Sequence, residues 1–525
     1  MKTSIFLLAT LALATLSPLA KADQAAETTI NVTGQTAGAT PFIGKVYLSV
    51  SNLSVLDSVY FAVRPKPGSV TRAISASYLK TYLDGRGHID AVNGQVMVPV
   101  FGLYDGYLNN VNVICFFADG SSKTLSTLIS TAPFDDACDF NAPVVRQART
   151  ATTALSYDFV LAASSCSQSS PVILDTDGAV RWVGTAGVRQ YQTAFFNNGI
   201  YLADGTRLLR MELDGKVRVV ADYASAGVIG FHHNIDRGKK GLILDVNSEK
   251  YIASVHLEVD GNTGAILKKW NLAKIISAAM IAGGDDPTGF VREANGRYDF
   301  QAFQDWTHNN AVTYRPSDNS IIISSRENFV ICIDYDTSAI KWIWGNTAKQ
   351  WYQYPSLRRF ALAAAVGTLP PVGQHSVSIT KDNKLLLFDN GERSANHHPT
   401  GPNRTYSAPR KYALDLRARI ATEVWNFTNS KSIRSRFRSS VYEDAASNYL
   451  VTYSRAENPN GSLRAEILGL TPAGEKVFDY SYPTSTVYNE AYRALPIHLE
   501  RLRFAPPASP AAAGAASPET VEPYF

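Results

Sequence analysis

The chain has 525 residues and a formal net charge of only +4, which argues against a nucleic-acid-binding protein and against an acidic partner. Its length suffices for two or three domains, or for one large repeat array with a smaller domain. Aromatic residues make up 11% of the chain, and 35 glycines and 25 prolines punctuate it. This composition is typical of an all-β protein.

The first 22 residues have the features of a secretory signal peptide. Lys2 precedes an apolar run from Ile5 to Leu16, and Ala20-Lys21-Ala22 supplies a small-residue cleavage site. No later segment is apolar for long enough to span a membrane. We therefore predict an exported protein, periplasmic or secreted, in which residues 1–22 take no part in the fold.

The four cysteines are Cys115, Cys138, Cys166 and Cys332, and their spacing matches no metal-binding motif. Cys115 and Cys332 lie in apolar, strand-like runs, which predicts that they are buried. Export permits a disulfide between Cys138 and Cys166. Scattered cysteines also serve as plain core residues, so this pairing stays open.

Residues 23–145 are predicted to form a small β-sandwich, because six apolar segments alternate there with turn residues. This domain has no recognisable group of catalytic or metal-binding residues, and we interpret it as an interaction or assembly module. His88 stands alone after a Gly-Arg-Gly turn and is expected to be solvated. The six segments are Thr29–Val32, Lys45–Val50, Val59–Val63, Val96–Val100, Val111–Phe117 and Thr124–Ile129.

Residues 150–504 contain a repeated unit of four strands, in which a turn precedes a last strand that often carries tryptophan. Each such sheet exposes both faces, so neighbouring sheets must pack on each other, and six of them predict a six-bladed β-propeller. Residues 488–504 are expected to close the ring, and residues 505–525 to form a disordered Ala/Pro-rich tail. The repeat endings begin at Leu174, Leu213, Val259, Ile333, Leu414 and Leu470.

Three insertions, at residues 271–304, 346–372 and 390–410, lengthen the connections of the blades that carry histidines. The segments Leu272–Ala282 and Ser356–Val366 are rich in alanine, leucine and isoleucine and are predicted to be helical. Insertions on one face of a propeller usually form a lid over a pocket. Surface decoration is the alternative.

Three of the repeats begin with histidines. The stretches are Phe231-His-His-Asn-Ile235, Asp305-Trp-Thr-His-Asn-Asn310 and Gly373-Gln-His375. The first strand of each blade lines the central channel, so His308, His375 and one of His232 and His233 are predicted to converge there. The spacing to the next strand favours His232.

Asn310 lies two residues after His308, which places both side chains on one face of a strand, and Arg326 ends the strand that follows. Three interpretations of this set remain open. It is a tri-histidine metal site, an anion site in which arginine offers two donors, or a set of channel residues that only fill space or hold water.

Three other histidines of the propeller and one arginine cluster are expected to have no catalytic role. His256 and the pair His397-His398 are predicted to be solvated or cross-strand polar groups. The cluster Arg434-Ser-Arg-Phe-Arg438 is predicted to be a solvated loop, or a weak anion funnel.

The histidine-containing stretches together resemble the bacterial arylsulfate sulfotransferases, which do not use the nucleotide donor PAPS. The resemblance covers nearly the whole mature chain up to about Phe504, and the segment Val98–Tyr104 is similar to that family's N-terminal β-sandwich. One departure is Asn234, where the family often has an acid. The motifs are Phe231–Ile235, Trp306–Asn310, Ser324–Arg326 and Gly373–His375.

The resemblance implies a ping-pong transfer in which His375 attacks the sulfur of an aryl sulfate and holds the sulfuryl group until a phenol takes it. We expect His308 to act as general acid and base and Arg326 to stabilise the charge of the sulfuryl group in flight. The chain has no phosphate-binding glycine loop, and we expect neither a cofactor nor a catalytic metal. The residues expected to bind substrate are His232, His233 and Asn310.

The alternative is a non-catalytic exported propeller that binds a ligand or partner through its inserted loops. The loops and the sandwich fit both hypotheses, whereas the histidine, arginine and asparagine set favours the enzyme. Its partners are then an aryl sulfate donor and a phenolic acceptor, with a homodimer left open as the oligomeric state.

Overall fold

A computed structural model describes residues 23–293, 305–484 and 491–506. The described chain consists mainly of β-strands in eight sheets, which confirms the all-β prediction. No helix in these three ranges is long and apolar enough to cross a membrane. The predicted signal peptide and residues 507–525 of the predicted tail lie outside the described residues.

Two sheets near the N-terminus pack around a shared apolar core that includes Val46, Phe61 and Val98. Along Leu108–Phe117 buried and more exposed residues alternate, which is the two-residue period of a strand with one face in the core. All six predicted strands are present. The sheets comprise Ile30–Ala37, Ile43–Val50, Gln95–Phe101 and Ile89–Asp90, and Leu502–Phe504, Ile74–Leu79, Leu56–Val63, Leu108–Phe117 and Ser122–Ser130.

His88 is buried, so the prediction of a solvated histidine is wrong. Its main chain is fixed from both sides, since its N–H donates to the Leu83 carbonyl and its carbonyl accepts from Met97, both at 2.8 Å. Burial, with Lys216 as the next contributor, lowers the pKa of His88 to about 4.

Six sheets of four antiparallel strands follow, which confirms the six-bladed propeller, and each of the six predicted endings forms the outer strands of one blade. The ring closes through Ala491–Ile497, which is the innermost strand of blade 1. From the channel outward, blades 1 to 3 comprise Ala491–Ile497, Phe159–Ser164, Val172–Asp175 and Val180–Val183; Thr193–Phe196, Gly199–Asp204, Arg207–Glu212 and Val217–Asp222; and Val228–Arg237, Leu242–Ser248, Val255–Val259 and Ile266–Asn271.

Blades 5 and 6 each gain an additional outer strand, Ala363–Ala364 and Val144–Gln147. Blades 4 to 6 otherwise comprise Asn309–Arg315, Ser320–Ser325, Val330–Asp334 and Ile340–Trp344; His375–Ile379, Leu385–Asp389, Ala408–Asp415 and Ile420–Asn426; and Ser440–Glu443, Tyr449–Glu457, Leu463–Leu470 and Lys476–Thr484.

Side chains on the channel side join each blade to the next. In each contact a buried donor satisfies a main-chain carbonyl of the neighbouring inner strand or of the residues that lead into it, as buried polar groups require. The contacts are Gln192 to His232 at 2.7 Å, Asn234 to Asn310 at 2.5 Å, Asn310 to Gln374 at 2.7 Å, Ser376 to Ser439 at 2.9 Å, Ser440 to Ala494 at 3.5 Å, and Arg493 to Thr193 at 2.6 Å.

The helix predicted at Leu272–Ala282 is present with those bounds, capped by the Asn271 side chain. The prediction of a helix at Ser356–Val366 is wrong. Only a helical turn, Pro355–Arg358, forms, and the chain after it joins the edge of a sheet. Ala363–Ala364 pairs with the outer strand of blade 5. The other helical segments are Gln24–Glu27, Leu53–Val55, Lys80–Gly85, Ala224–Ala226, Pro287–Gly289, Pro316–Asp318, Gln350–Gln353, Asn429–Lys431 and Ala445–Ser447.

Cys138 and Cys166 form a disulfide, which decides the pairing that the sequence left open. Cys115 and Cys332 are buried free thiols, as predicted. Burial raises the pKa of Cys115 to about 12 and that of Cys332 to about 11, so neither thiol is ionised at neutral pH.

Candidate active site

The inner strands of blades 3, 4 and 5 each carry a β-bulge at the predicted histidines. In blade 3, the step from Phe231 to Ile235 is paired with the shorter step from Val246 to Leu244. Blades 4 and 5 have similar irregularities after Asn309 and after His375. Bulges re-aim side chains and recur beside active sites.

The double histidine of blade 3 lies inside its bulge, and both rings are buried. The structure therefore brings His232 and His233 together at the site, where the sequence favoured His232 as the channel residue. Because the bulge breaks the strict alternation of a strand, consecutive side chains can point to one region.

His308 precedes the inner strand of blade 4 and has a left-handed backbone, with φ of 46°. This conformation is uncommon for a residue other than glycine, and such strain clusters at functional sites. Asp305 holds it in place. The main-chain N–H of His308 donates to Asp305 Oδ1 at 3.0 Å, and its Nδ1 bonds Asp305 Oδ2.

The histidines form a close cluster. His233 Nε2 lies 2.7 Å from His308 Nε2, and the ring centroid of His232 lies 4.0 Å from His233 and 5.0 Å from His308. The ring of His375 is farther out, 6.3 Å from His233. The predicted convergence of the three blades is thus present.

Asp245 supports His232 from behind. His232 Nδ1 lies 2.8 Å from the Asn309 carbonyl and 3.4 Å from Asp245 Oδ2, so Nδ1 carries the proton and Nε2 has the lone pair. Burial lowers the pKa of His232, but the neighbouring Asp245 carboxylate outweighs it and the net shift is upward. His256 pairs with Asp245 across the strands and is fully buried, so it is cross-strand as predicted but not solvated.

The contacts of His375 fix its tautomer. Nδ1 lies 2.8 Å from Asn390 Oδ1 and 3.1 Å from the Gly373 carbonyl. The Asn390 amide is oriented by donating to the carbonyls of Ser435 and Arg438. Nδ1 therefore carries the proton. Nε2 keeps its lone pair and accepts the Arg438 main-chain N–H at 3.2 Å.

Burial keeps His375 neutral. Burial lowers the pKa of His375 well below its ordinary value. The hydrogen bond to Asn390 acts in the opposite direction, and the charges of His308 and Arg326 lower the pKa further. Burial and the neighbouring histidines likewise lower the pKa of His233. A neutral imidazole is a competent nucleophile once its lone pair is released from the Arg438 N–H.

Arg326 lies at the edge of the cluster, where its main-chain N–H donates to the His308 carbonyl at 3.1 Å. Its guanidinium pairs with Glu327 and lies 5.2 Å from the Phe437 ring centroid. Arg326 Nε has no hydrogen-bond partner among the described residues. A buried arginine with an unsatisfied donor suits an anionic ligand.

Glu327 ties the insertion at 390–410 to the site. Its Oε2 accepts the main-chain N–H groups of Ala395 and Asn396, both at 2.8 Å. Its main-chain carbonyl accepts from buried Lys349 at 2.9 Å, and burial lowers the pKa of that lysine to about 7. Two insertions therefore contact the residues beside Arg326, as a lid requires.

His397 belongs to this lid and is fully buried, so the prediction of a solvated residue is wrong for it, whereas His398 is exposed. His397 Nε2 lies 2.6 Å from the Trp306 carbonyl and its Nδ1 lies 2.9 Å from Gln350 Oε1. Burial lowers the pKa of His397 to about 4.

The arginine cluster of blade 6 is also more ordered than predicted. Arg434 and Arg436 both pair with Glu392. Arg438 stands beside His375, with its guanidinium 5.3 Å from the Tyr191 ring and 5.4 Å from the Tyr492 ring. The interpretation as a solvated loop is therefore wrong for Arg438.

Comparison with known proteins places this geometry in a family. Residues 144–493, more than half of the chain, match the family model Arylsulfotransferase (ASST). The chain belongs to the arylsulfotransferase family. The family resemblance of the histidine motifs is thereby confirmed.

Two curated arylsulfotransferases are similar in sequence. Arylsulfate sulfotransferase AssT of Escherichia coli O6:H1 is 28% identical over 240 residues, which is 37% of this chain and 40% of that protein. AssT of Lelliottia amnigena is 22% identical over 330 residues, 52% of this chain and 53% of that protein. The matches thus span about half the length of these relatives.

Two solved structures are similar in shape. BamB from Moraxella catarrhalis has a TM-score of 0.27 at 9% identity and covers 65% of this chain and 92% of its own. The Cps50 (Swd1) β-propeller domain of Myceliophteria thermophila has a TM-score of 0.31 at 11% identity and covers 60% and 80%. Both scores are low, so the fold of this arylsulfotransferase rests on its strand pairing.

Several residues of the arylsulfotransferase site escaped sequence reasoning. Asp305 precedes His308 by three residues, in the same motif, so its pattern could have revealed it. Asp245, Asn390, Glu327 and Arg438 come from other strands and loops. Asp245 and Asn390 lie on, or directly after, the second strand of the blade that carries their histidine, and Glu327 follows Arg326 directly. Arg438 comes from the loop before the next blade, and only tertiary contacts bring it to His375.

Proposed function

We propose that this arylsulfotransferase moves a sulfuryl group from an aryl sulfate to a phenol, through a covalent intermediate on His375 and without PAPS. The observation that carries the proposal is the tautomer of His375. Its Nδ1 is held by Asn390, so that a neutral, buried Nε2 keeps its lone pair beside His308 and Arg326.

In the first half-reaction, His375 Nε2 attacks the sulfur of the aryl sulfate. A nitrogen–sulfur bond forms, the sulfur–oxygen bond to the aryl group breaks, and the electron pair leaves with the phenolate oxygen. His308 protonates that oxygen. The Asp305 carboxylate fits His308 for this role, because its negative charge stabilises the protonated ring. The charge of His308 and the hydrogen bond between the two residues lower the pKa of Asp305 to about 2 despite its burial.

In the second half-reaction, the oxygen of the acceptor phenol attacks the sulfur and gives its proton to His308. The nitrogen–sulfur bond breaks and its electron pair returns to His375 Nε2. The two halves are the reverse of each other, so one set of residues serves both, and no oxidant or reductant is needed.

The charge on the sulfuryl oxygens needs fixed positive groups, since such transfers depend mainly on positioning and charge stabilisation. The Arg326 guanidinium and the Arg438 main-chain N–H are the nearest candidates. Arg326 Nε lacks a partner among the described residues, and the Arg438 N–H is 3.2 Å from His375 Nε2. His232, His233 and Asn310 remain proposed substrate-binding residues.

We further propose that the enzyme works in an exported, oxidising compartment. The Cys138–Cys166 disulfide supports this, because disulfides persist outside the cytosol. The N-terminal segment with its cleavage site supports it from the sequence.

Steady-state kinetics with p-nitrophenyl sulfate as donor and phenol as acceptor test the proposal. We expect release of p-nitrophenol that depends on phenol, needs no PAPS, and gives parallel lines in double-reciprocal plots. Intersecting lines would contradict the covalent intermediate. No transfer to any phenol tried would favour the binding propeller.

A further inference from the structure

We propose that His232, His233 and His308 bind a divalent transition-metal ion such as Zn²⁺, and that the bound ion blocks transfer. The proposal of metal binding depends only on the arrangement of the three histidines, whereas the proposal of inhibition depends also on the proposed function. The site needs no residue beyond these three and leaves one coordination position open.

The ligand atoms are close enough for one ion. One ring nitrogen from each of the three histidines lies within 4.8 Å of the others, and all three side chains are buried. Tetrahedral Zn–N bonds of about 2.0–2.1 Å place ligand nitrogens about 3.3 Å apart. The His233 and His308 nitrogens must therefore open from 2.7 Å, whereas His232 must move towards them. Small ring rotations suffice for that.

Two of the rings already have the outer contacts typical of metal-bound histidine. His308 Nδ1 bonds Asp305, and His232 Nδ1 bonds the Asn309 carbonyl with Asp245 at 3.4 Å. Such partners hold the proton on Nδ1 and present Nε2 to the metal. His232 Nε2 is buried and has no hydrogen-bond partner among the described residues.

The third ring can adapt by changing its tautomer. His233 Nε2 and His308 Nε2 lie 2.7 Å apart and share one proton between them. His233 Nδ1 has no partner in the described parts of the chain and can take that proton. Both Nε2 lone pairs then become available, and no proton has to leave the protein.

The chemistry of the set determines which ions are expected. Three neutral imidazoles suit Zn²⁺, Cu²⁺ and Ni²⁺, whereas Mg²⁺ prefers oxygen ligands. Asp245 and Asp305 lie directly behind two of the rings and offset the positive field of Arg326. His375 lies outside this ligand set, since its ring centroid is 6.3 Å from that of His233 and the three close-set ring nitrogens belong to the other histidines.

A bound ion would stop transfer because it takes the His308 lone pair that the acid–base step uses. It would also fill the space between the histidines and His375. The inhibition should be reversible on chelation, because no covalent bond to the protein backbone or substrate is made.

Equilibrium dialysis of the full chain against Zn²⁺, with metal analysis, measures binding without any need for activity. We expect one Zn²⁺ per chain and no Mg²⁺. His233→Ala and His232→Ala should each weaken binding about 100-fold, and Asp245→Asn by about 10-fold, within the range that outer partners contribute. His375→Ala and His398→Ala are matched controls that should bind Zn²⁺ like the wild type.

Circular dichroism of each variant separates loss of a ligand from loss of the fold. Absence of Zn²⁺ binding by the wild type, or binding that persists in folded His233→Ala, would overturn the site. In a parallel assay of the wild type, Zn²⁺ should inhibit transfer at the concentration at which it binds, and EDTA should restore it. Transfer unaffected by saturating Zn²⁺ would overturn the block, whereas Zn²⁺ binding without any transfer by the metal-free enzyme would overturn only the proposed function.

Discussion

Two buried arginines show how differently the propeller uses charge. At the ring closure, the terminal nitrogens of Arg493 bond Asp236, Tyr442 and the carbonyls of Thr193 and Ile235. At the histidine cluster, the guanidinium of Arg326 bonds Glu327 alone among the described residues. A buried charge with many protein partners holds the fold together, whereas one with few partners is poised for a ligand.

The same contrast separates the blades. Histidines lie in or beside the bulges of blades 3, 4 and 5, with buried ring nitrogens that have no partner in the described chain, such as His232 Nε2 and His233 Nδ1. The bulge in the inner strand of blade 1 carries Tyr492 instead. A protein leaves such ring nitrogens unsatisfied where function requires it. We therefore expect substitutions at the ring closure to lower the free energy of unfolding, and substitutions at the histidine cluster to lower the rate of transfer.

The largest effect is expected at His375. In His375→Ala the nucleophile is gone, so transfer from p-nitrophenyl sulfate to phenol should fall by roughly 10⁴-fold or more, as in other enzymes that lose a nucleophile. The melting temperature should change little, because the hydrogen bonds of the ring go to the Asn390 side chain, the Gly373 carbonyl and the Arg438 main-chain N–H, none of which pairs two strands of a blade. His398→Ala, an exposed histidine, is the control and should keep full activity.

The two arginines provide the next and most direct comparison. Arg326→Lys, which keeps a positive charge beside buried Glu327 but loses the planar guanidinium, should lower kcat by about 10²–10³-fold with a small change in stability. Arg493→Ala should lower the free energy of unfolding by about 3–5 kcal/mol, because it leaves Asp236 without its buried partner. Chemical denaturation and assays of the folded fraction measure both, and the reverse result would contradict the contrast.

A smaller effect is expected from Asp305→Asn, which keeps the shape but removes the charge behind His308. The rate should fall by about 10²-fold or more, since an aspartate behind a catalytic histidine sets its tautomer and stabilises its protonated form. The pH–rate profile should also change, because His308 loses its support for protonation. An unchanged profile with a reduced rate would indicate a structural role only.

The smallest effect concerns acid stability, in which the sandwich and the lid should respond alike. His88 and His397 each have a pKa of about 4 in the fold and an ordinary value of about 6.5 when unfolded. The unfolded chain therefore binds protons first, and stability is lost as pH falls from about 6.5 towards 4. Each residue contributes at most about 1.4 kcal/mol per pH unit.

Denaturation at pH 7 and pH 5.5 measures this loss. His397→Gln should reduce it by about 1 kcal/mol through removal of one titrating group, and exposed His398→Gln should not. An equal loss in wild type and His397→Gln would contradict the assignment.

The sequence predicted the repeats well because each blade has a local signature. Apolar runs that end in a tight turn marked all six blades, five of them with an aspartate, and the histidine motifs lay at the start of three. Contacts across the ring have no such signature. Arg438 reaches His375 from 63 residues away, and Asn390 fixes the tautomer from the next strand.

Packing against distant segments explains the sequence predictions that were wrong. The alanine-rich run near Ala363 favours a helix on composition, yet the open edge of blade 5 offers it main-chain hydrogen bonds. His88 and His397 were expected to be solvated because histidine is polar, but each is buried by a neighbouring element. Local pattern cannot predict burial by a distant segment.

The most direct test of the account is an intact-mass spectrum after brief exposure to p-nitrophenyl sulfate without acceptor, followed by peptide mapping. We predict one added sulfuryl group per chain, on the peptide that contains His375, which phenol then removes. An adduct on His308 or His232 would contradict the assignment of the nucleophile. No adduct in an enzyme that still transfers the group would contradict the covalent mechanism itself.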